Sequence, residues 1–296
     1  MAKKKKKGKI RTLFKSSLKV KGIPSYEALT LIEKELEEDG LMEYDLGSYT
    51  TIEMLSEADF IIHNLLGKNM VNQNEYKKTT SIHDNLVKTI GDFLNAPDVN
   101  RVFGSSTTGS SEAVFLGILA AKWHWKKKRL QGTPNIVLCN NAHLCWYKFA
   151  KYLDIEIREV KLETLSKYPL KEIENQINEN TICVVAVLGC TYLGLCDPIE
   201  VLNALVSRLN NDNNWDVGIH VDAAIGGFIV PFLNNSSLKW DFELSQVKSI
   251  NLSGHKYGLV YPGLGWVLFK DKEYFPKELS LNSNYLSGSF SSFTVN

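Results

Sequence analysis

The sequence predicts an α/β protein with a mostly parallel sheet and helices on both faces. Two observations carry this. Four short runs are apolar on both faces, as strands of a covered sheet must be: Asn135–Cys139, Ile182–Leu188, Gly218–Asp222 and Val247–Leu252. Stretches with helical spacing at 111–130, 142–152, 170–178 and 199–210 alternate with them, and strand–helix–strand succession gives parallel pairing.

Ahead of residue 100 the pattern is helical with short breaks. Apolar residues recur at helical spacing over 25–39, 52–66 and 82–94, the last ending before Ala96-Pro97. Between the first two lies an irregular polar piece, Tyr44-Asp-Leu-Gly-Ser-Tyr49. The predicted organisation is a basic disordered tail at 1–22, an N-terminal helical segment at 23–60 and a large ligand-binding domain at 61–296.

Composition narrows the class. The 296 residues are 44% hydrophobic and 23% charged, which excludes a disordered, collagenous or coiled-coil chain. No run approaches the 18 or so apolar residues of a transmembrane helix, and no apolar segment follows the basic start as in a secretory signal. The net charge of +1 hides an asymmetry: residues 1–22 carry ten Lys or Arg and no acid, leaving 24 basic against 33 acidic residues beyond them. A self-repelling run such as Lys3–Lys7 reads as a solvated tail, or as a contact for nucleic acid or an anionic membrane surface. The five cysteines, Cys139, Cys145, Cys183, Cys190 and Cys196, form no CxxC pair and sit mostly in apolar runs. Buried reduced thiols in a cytoplasmic protein are expected, with no metal site.

In parallel sheets ligands gather beyond the carboxyl ends of the strands, so the residues following each strand carry the functional reading. After Val102-Phe103 comes Gly104-Ser-Ser-Thr-Thr-Gly-Ser-Ser-Glu-Ala113, then a long helix. Ser110 and Ser111 put hydroxyls and free N–H groups at a helix N-terminus, suited to a phosphate or to a plain cap. His143 follows the next strand, where a histidine stacks, transfers protons or is merely structural. Gly189-Cys-Thr191-Tyr-Leu-Gly194 makes a tight turn carrying a hydroxyl, and Asp197 before Pro198 reads as the N-cap of the following helix. His220-Val-Asp222-Ala-Ala-Ile-Gly-Gly227 ends a strand on an aspartate that is costly to bury without a cation, or that caps the next turn. Small residues beyond it leave room for something flat. Ser253-Gly-His255-Lys256 ends another strand on a lysine that could bond an aldehyde. Together these features name a flat, phosphorylated, aldehyde-bearing ligand with a basic ring nitrogen, which is pyridoxal 5′-phosphate.

Thr108-Gly-Ser-Ser-Glu-Ala113, His143-Leu-Cys-Trp-Tyr-Lys148, His220-Val-Asp-Ala-Ala-Ile-Gly-Gly227 and Ser253-Gly-His-Lys-Tyr-Gly258 resemble motifs of the group II pyridoxal-phosphate decarboxylases. Within them, Trp146–Val160 and Gly-Trp266 are most similar to the glutamate decarboxylase subfamily. The resemblance runs from about Tyr44 to the end. It implies a type I pyridoxal-phosphate transferase-like large domain, with a mostly parallel seven-stranded sheet, and a homodimer. It implies Lys256 as the residue bonded to the cofactor aldehyde, Asp222 as the partner of the ring nitrogen and His143 as the residue stacked on the ring. Ser110, Ser111 and His255 match phosphate contacts, Thr191 and Ala224 match neighbours of the ring, and Ser48 and Tyr49 match a pair that reaches the substrate. His83 lies where some relatives carry a substrate-side aspartate. Relatives continue past the position of Asn296 into a further phosphate-binding serine and a small C-terminal domain with a substrate-binding arginine, so the chain is expected to be C-terminally truncated. The implied reaction is decarboxylation of L-glutamate to 4-aminobutanoate and CO2. A related amino-acid decarboxylase or lyase, and an inactive truncated remnant, are the alternatives.

Overall fold

A computed structural model describes residues 22–40, 44, 47, 54–68, 73–128, 131–162, 168–233 and 237–279, with the backbone of 281–283 and 290–292. The basic tail to residue 21 and the pair Ser48 and Tyr49 lie outside the described residues. The chain divides into two compact units, Met1–Tyr44 and Asp45–Asn296. The first unit contributes helix α1 (Ser25–Leu36), which buries none of its residues.

The second unit is built on a seven-stranded sheet. Its strands are β1 (Phe103–Thr107), β2 (Asn135–Cys139), β3 (Glu156–Val160), β4 (Thr181–Val187), β5 (Gly218–Ala223), β6 (Val247–Ser253) and β7 (Gly265–Phe269), in the spatial order β1-β7-β6-β5-β4-β2-β3. Neighbouring pairs from β3 through β6 are parallel; β7 alone runs antiparallel to both its neighbours, β6 and β1. A mostly parallel sheet was expected, and its two unanticipated strands are β3 and β7. A further pair, β8 (Leu281–Ser283) and β9 (Phe290–Ser292), is antiparallel.

Helices α2 (Ser56–Leu65), α3 (Lys77–Phe93), α4 (Ser110–Lys127), α5 (Leu144–Tyr152), α6 (Leu170–Gln176) and α7 (Ile199–Asn213) complete the unit. Helix α3 begins five residues before the predicted 82. Its first turn is Lys-Lys-Thr-Thr, so apolar spacing does not mark it.

Alternating side chains of β2 and β4 feed two separate hydrophobic clusters, as the period of two requires. On β2 and β4, Val137, Cys139, Val184 and Ala186 join α7 residues Ile199, Leu202 and Val206. Their neighbours Ile136, Leu138 and Val185 join Val114 and Ile118 of α4 and Trp146 of α5. Helices therefore cover both faces. Leu202 is fully buried, and Leu202→Ala is expected to cost about 2–5 kcal/mol in a urea unfolding curve through lost contacts and a residual cavity.

The register sets the site. Val187 of β4 pairs with Asp222 of β5, and Asp222 with Asn251 of β6, so the three share one row near the carboxyl ends. Ser253 of β6 and Thr107 of β1 flank Gly265 of β7 in a second row. Among the described residues no helix is long and apolar enough to cross a membrane.

Candidate functional site

A cavity of about 340 Å³ opens at these strand ends. It is lined by Ser110, Ser111, His143, Thr191, Asp222, Ala224, His255 and Lys256, and so gathers eight sequence-predicted residues from five segments of the chain.

The β1–α4 turn forms one wall. Gly109 has φ +153°, which glycine adopts without strain, and a Cβ there would sit 3.2 Å from Cε1 of His255. The Thr108 N–H and hydroxyl both donate to Glu112 Oε2, at 2.6 and 2.7 Å, and tie the turn to the helix. The first backbone bond of α4 runs from Ala113 N–H to Gly109 O, so the N–H groups of Ser110 and Ser111 precede the ladder and present positive charge at the cavity.

Asp222 also lines the cavity and is 5% exposed. Among the described residues three neutral donors hold its carboxylate: Trp146 Nε1–H to Oδ2 at 2.9 Å, Asn251 Nδ2–H to Oδ1 at 2.9 Å and the Ala224 N–H to Oδ1 at 3.3 Å. A carboxylate this deep gains from a cation, and its donors supply none. Lys256 follows β6 through a tight turn in which His255 N–H donates to Leu264 O. Burial pushes the Lys256 amine below the ordinary lysine range, only partly offset by the nearby Asp222 and Cys145. His255 is also lowered, first by burial and then by the adjacent Lys256 charge.

His143 caps α5, with Nδ1 accepting from Cys145 N–H at 3.2 Å. That places its proton on Nε2. Thr191 sits in the loop after β4, where Gly189 has φ +84° and packs against the Gly226 backbone. Asp197, expected to cap α7, does not: the N-cap is Pro198, without a side-chain bond. Asp197 instead turns inward, accepting from Val187 N–H and Asn141 Nδ2–H, and burial raises its carboxyl.

His83 is not brought to this cavity. Its Nε2 accepts from Ser106 N–H at 3.1 Å, and its ring stacks 5.9 Å from Trp266. The sequence reading assigned no role to Trp146, Asn251 or His220, which support Asp222 from behind. Trp146 lay within a quoted motif, but a tryptophan in an apolar helix reads as core.

The cavity fits the expected ligand class. Among the described residues Ser253 Oγ and His255 Nδ1 are buried without a partner, and both residues line it. A helix N-terminus, a buried carboxylate and a half-buried lysine meet there with room for a flat ring. Among the described residues no group of His, Cys, Asp and Glu gathers in the way a metal ion would need.

Trp146→Phe is expected to preserve most of the buried volume while leaving an Asp222 oxygen short of a donor. The expected loss is about 1–3 kcal/mol by urea unfolding of the ligand-free chain.

The fold and this lysine–aspartate–helix arrangement define a pyridoxal-phosphate-type α/β protein. A family described as the pyridoxal-dependent decarboxylase conserved domain matches residues 48–295, and the chain belongs to that family. Glutamate decarboxylase 1 of Arabidopsis thaliana is 44% identical over 282 residues, covering 93% of this chain and 56% of the relative. Glutamate decarboxylase of Lactococcus lactis subsp. cremoris (strain MG1363) is 39% identical over 277 residues, covering 91% and 59%. The structure of Lactobacillus brevis CGMCC 1306 glutamate decarboxylase superposes with a TM-score of 0.89 at 37% identity, covering 96% of this chain and 66% of that one. A Burkholderia pseudomallei sphingosine-1-phosphate lyase shares the fold, at TM-score 0.79 and 17% identity. The chain thus spans little more than half the length of the curated relatives it matches.

Proposed function

We propose that this chain is the cofactor-binding part of a pyridoxal 5′-phosphate-dependent carboxy-lyase that converts L-glutamate to 4-aminobutanoate and CO2. The observation that carries the reading is the half-buried Lys256 lining the same cavity as buried Asp222 and the N-terminus of α4. The glutamate decarboxylases matched over more than nine-tenths of this chain support the substrate.

When bound, the cofactor supplies a ring that accepts the electron pair left as CO2 departs. Lys256 Nζ would hold the cofactor through its aldehyde carbon, the aldehyde oxygen leaving as water, and its lowered proton affinity keeps more of the amine neutral. The Asp222 carboxylate holds a proton on the ring nitrogen. Ser110, Ser111 and His255 hold the phosphate, the serines through hydroxyls and free helix N–H groups. His143 would stack on the ring, and Thr191 and Ala224, which line the same cavity, would lie beside it. Ser48 and Tyr49 are assigned to the substrate. The reading includes a cytoplasmic homodimer, supported by free cysteines and by exposed Phe60, Ile61 and Leu66 at α2, a helix with no buried residue. Sedimentation at twice the 33.4 kDa chain mass is the expected result.

The test is release of CO2 from L-glutamate by the purified chain with cofactor, beside other amino acids. Release from a different amino acid only would reassign the substrate; retention of cofactor on Lys256 without turnover would leave a binding module. Adduct formation has a defined pH dependence: as pH falls through the lowered pKa of Lys256, Nζ protonates and the rate drops. The midpoint is expected below that of a solvent-exposed lysine, as read from stopped-flow absorbance at a series of pH values.

A further inference from the structure

Behind the cavity lies a buried polar chain that the proposed chemistry does not use. Asn251 is 0% exposed and His220 is 2% exposed. The two hydrogens of Asn251 Nδ2 are directed at Ser110 Oγ, 2.5 Å away, and Asp222 Oδ1, 2.9 Å away. Asn251 Oδ1 is 2.8 Å from His220 Nε2, and His220 Nδ1 is 2.7 Å from Ser249 Oγ.

Only one proton arrangement satisfies every member. If the amide were flipped, its oxygen would face the Asp222 carboxylate oxygen, two acceptors in contact without a hydrogen between them. With the amide as placed, Oδ1 must accept, so His220 carries its proton on Nε2. Nδ1 is then an acceptor and takes the hydroxyl hydrogen of Ser249. Burial favours the neutral imidazole. The space for the ring is provided by α4, since a Cβ on Gly117 would lie 2.5 Å from His220 Cε1.

We propose that Asn251 is a positioning residue: locked in one orientation by the Nε2–H tautomer of His220, its amide holds Ser110 and Asp222 at once and so couples the phosphate end of the site to the ring-nitrogen end. This rests on the cofactor reading above for its consequence, though not for its geometry. Ser110 moves with the N-terminus of α4 and Asp222 with β5, and both hydrogen bonds meet on one planar group. A ligand that seats one end therefore meets the other end already placed.

Two measurements test it. The first needs no cofactor: ¹⁵N NMR of the histidine-labelled chain. His220 is expected as the Nε2–H tautomer, and an Nδ1–H tautomer would overturn the proposal. The second compares uptake of pyridoxal 5′-phosphate with pyridoxal, which lacks the phosphate, by the visible band of the lysine adduct. Ser110→Ala is expected to reduce only the gain that the phosphate brings. Asn251→Ala is expected to weaken pyridoxal about tenfold and also to reduce the phosphate gain, since it removes a hydrogen bond to a charged group as well as the Ser110 contact. The double variant is expected to match Asn251→Ala. Independent, additive losses, or unchanged pyridoxal affinity in Asn251→Ala, would overturn the coupling. If the unaltered chain took up neither compound, the cofactor reading would fall, while the tautomer measurement would still decide the network.

Discussion

Lys256→Ala is expected to abolish covalent retention of pyridoxal 5′-phosphate while leaving the chain folded. After borohydride reduction and proteolysis, the peptide spanning residue 256 should carry the cofactor mass in the unaltered chain and not in the variant. The reasoning separates chemistry from structure. Burial lowers the Lys256 amine, so the fold disfavours its protonated form. Below the folded-state pKa that penalty is fully present, and it vanishes above the unfolded-state pKa. Removing the amine removes the penalty, so the ligand-free urea midpoint near neutral pH should be unchanged or higher. Lys256→Arg is the sharper control: it keeps a cation near Asp222 but has no amine able to bond the aldehyde carbon, and should also retain nothing. Cofactor mass retained at full level on another peptide in both variants would sink the assignment, because a different amine would then form the bond.

Legibility in the sequence followed chemical type. Strands β2, β4, β5 and β6 were readable because each is apolar on both faces. Strand β3, Glu-Ile-Arg-Glu-Val, sits at the sheet edge with both glutamates exposed, so its mixed pattern resembles a surface loop. Strand β7 is apolar throughout, but it comes directly after the Lys256 loop without an intervening helix, and a strand–helix alternation does not call for it. Its antiparallel direction follows from that short connection. Among site residues, Asp222 and Lys256 stood out because a charge at the end of an apolar strand demands a reason. Asn251 and Trp146 carry no such mark; an asparagine within a strand and a tryptophan within a helix are informative only once register and packing place them against Asp222. Asp197 shows the converse. Its position before Pro198 has the pattern of a helix cap, but the buried Val187 N–H and the Asn141 amide compete for the same carboxylate and win. A histidine such as His83 gives no direction by itself, and here a backbone N–H and a tryptophan ring draw it to β1.

Gly265→Ala should damage ligand binding from a position that lines no part of the cavity. Gly265 opens β7, between Ser253 and Thr107. A Cβ there would lie 2.4 Å from the carbonyl carbon of Gly109, 2.7 Å from Ser110 N and 2.8 Å from Gly109 O. All three are backbone atoms, so no rotamer change relieves the clash. The Gly109–Ser110 peptide has to move by roughly 1 Å to reach ordinary contact, and that peptide carries the first free N–H of α4. A displacement of about this size costs on the order of 10²-fold where several groups must converge, and overpacking costs about 1–3 kcal/mol of stability. The expected result is a loss of pyridoxal 5′-phosphate affinity larger than the loss of pyridoxal affinity, with a modest fall in urea midpoint. Gly263→Ala supplies the contrast. Gly263 has φ +91° and open space around its Cβ position, so that variant bears backbone strain of about 1–2 kcal/mol without touching the turn. Equal losses of phosphate-dependent affinity in the two variants would show that general destabilisation accounts for the effect; a loss confined to Gly265→Ala would show that β7 holds the turn at its working distance from His255 and Lys256.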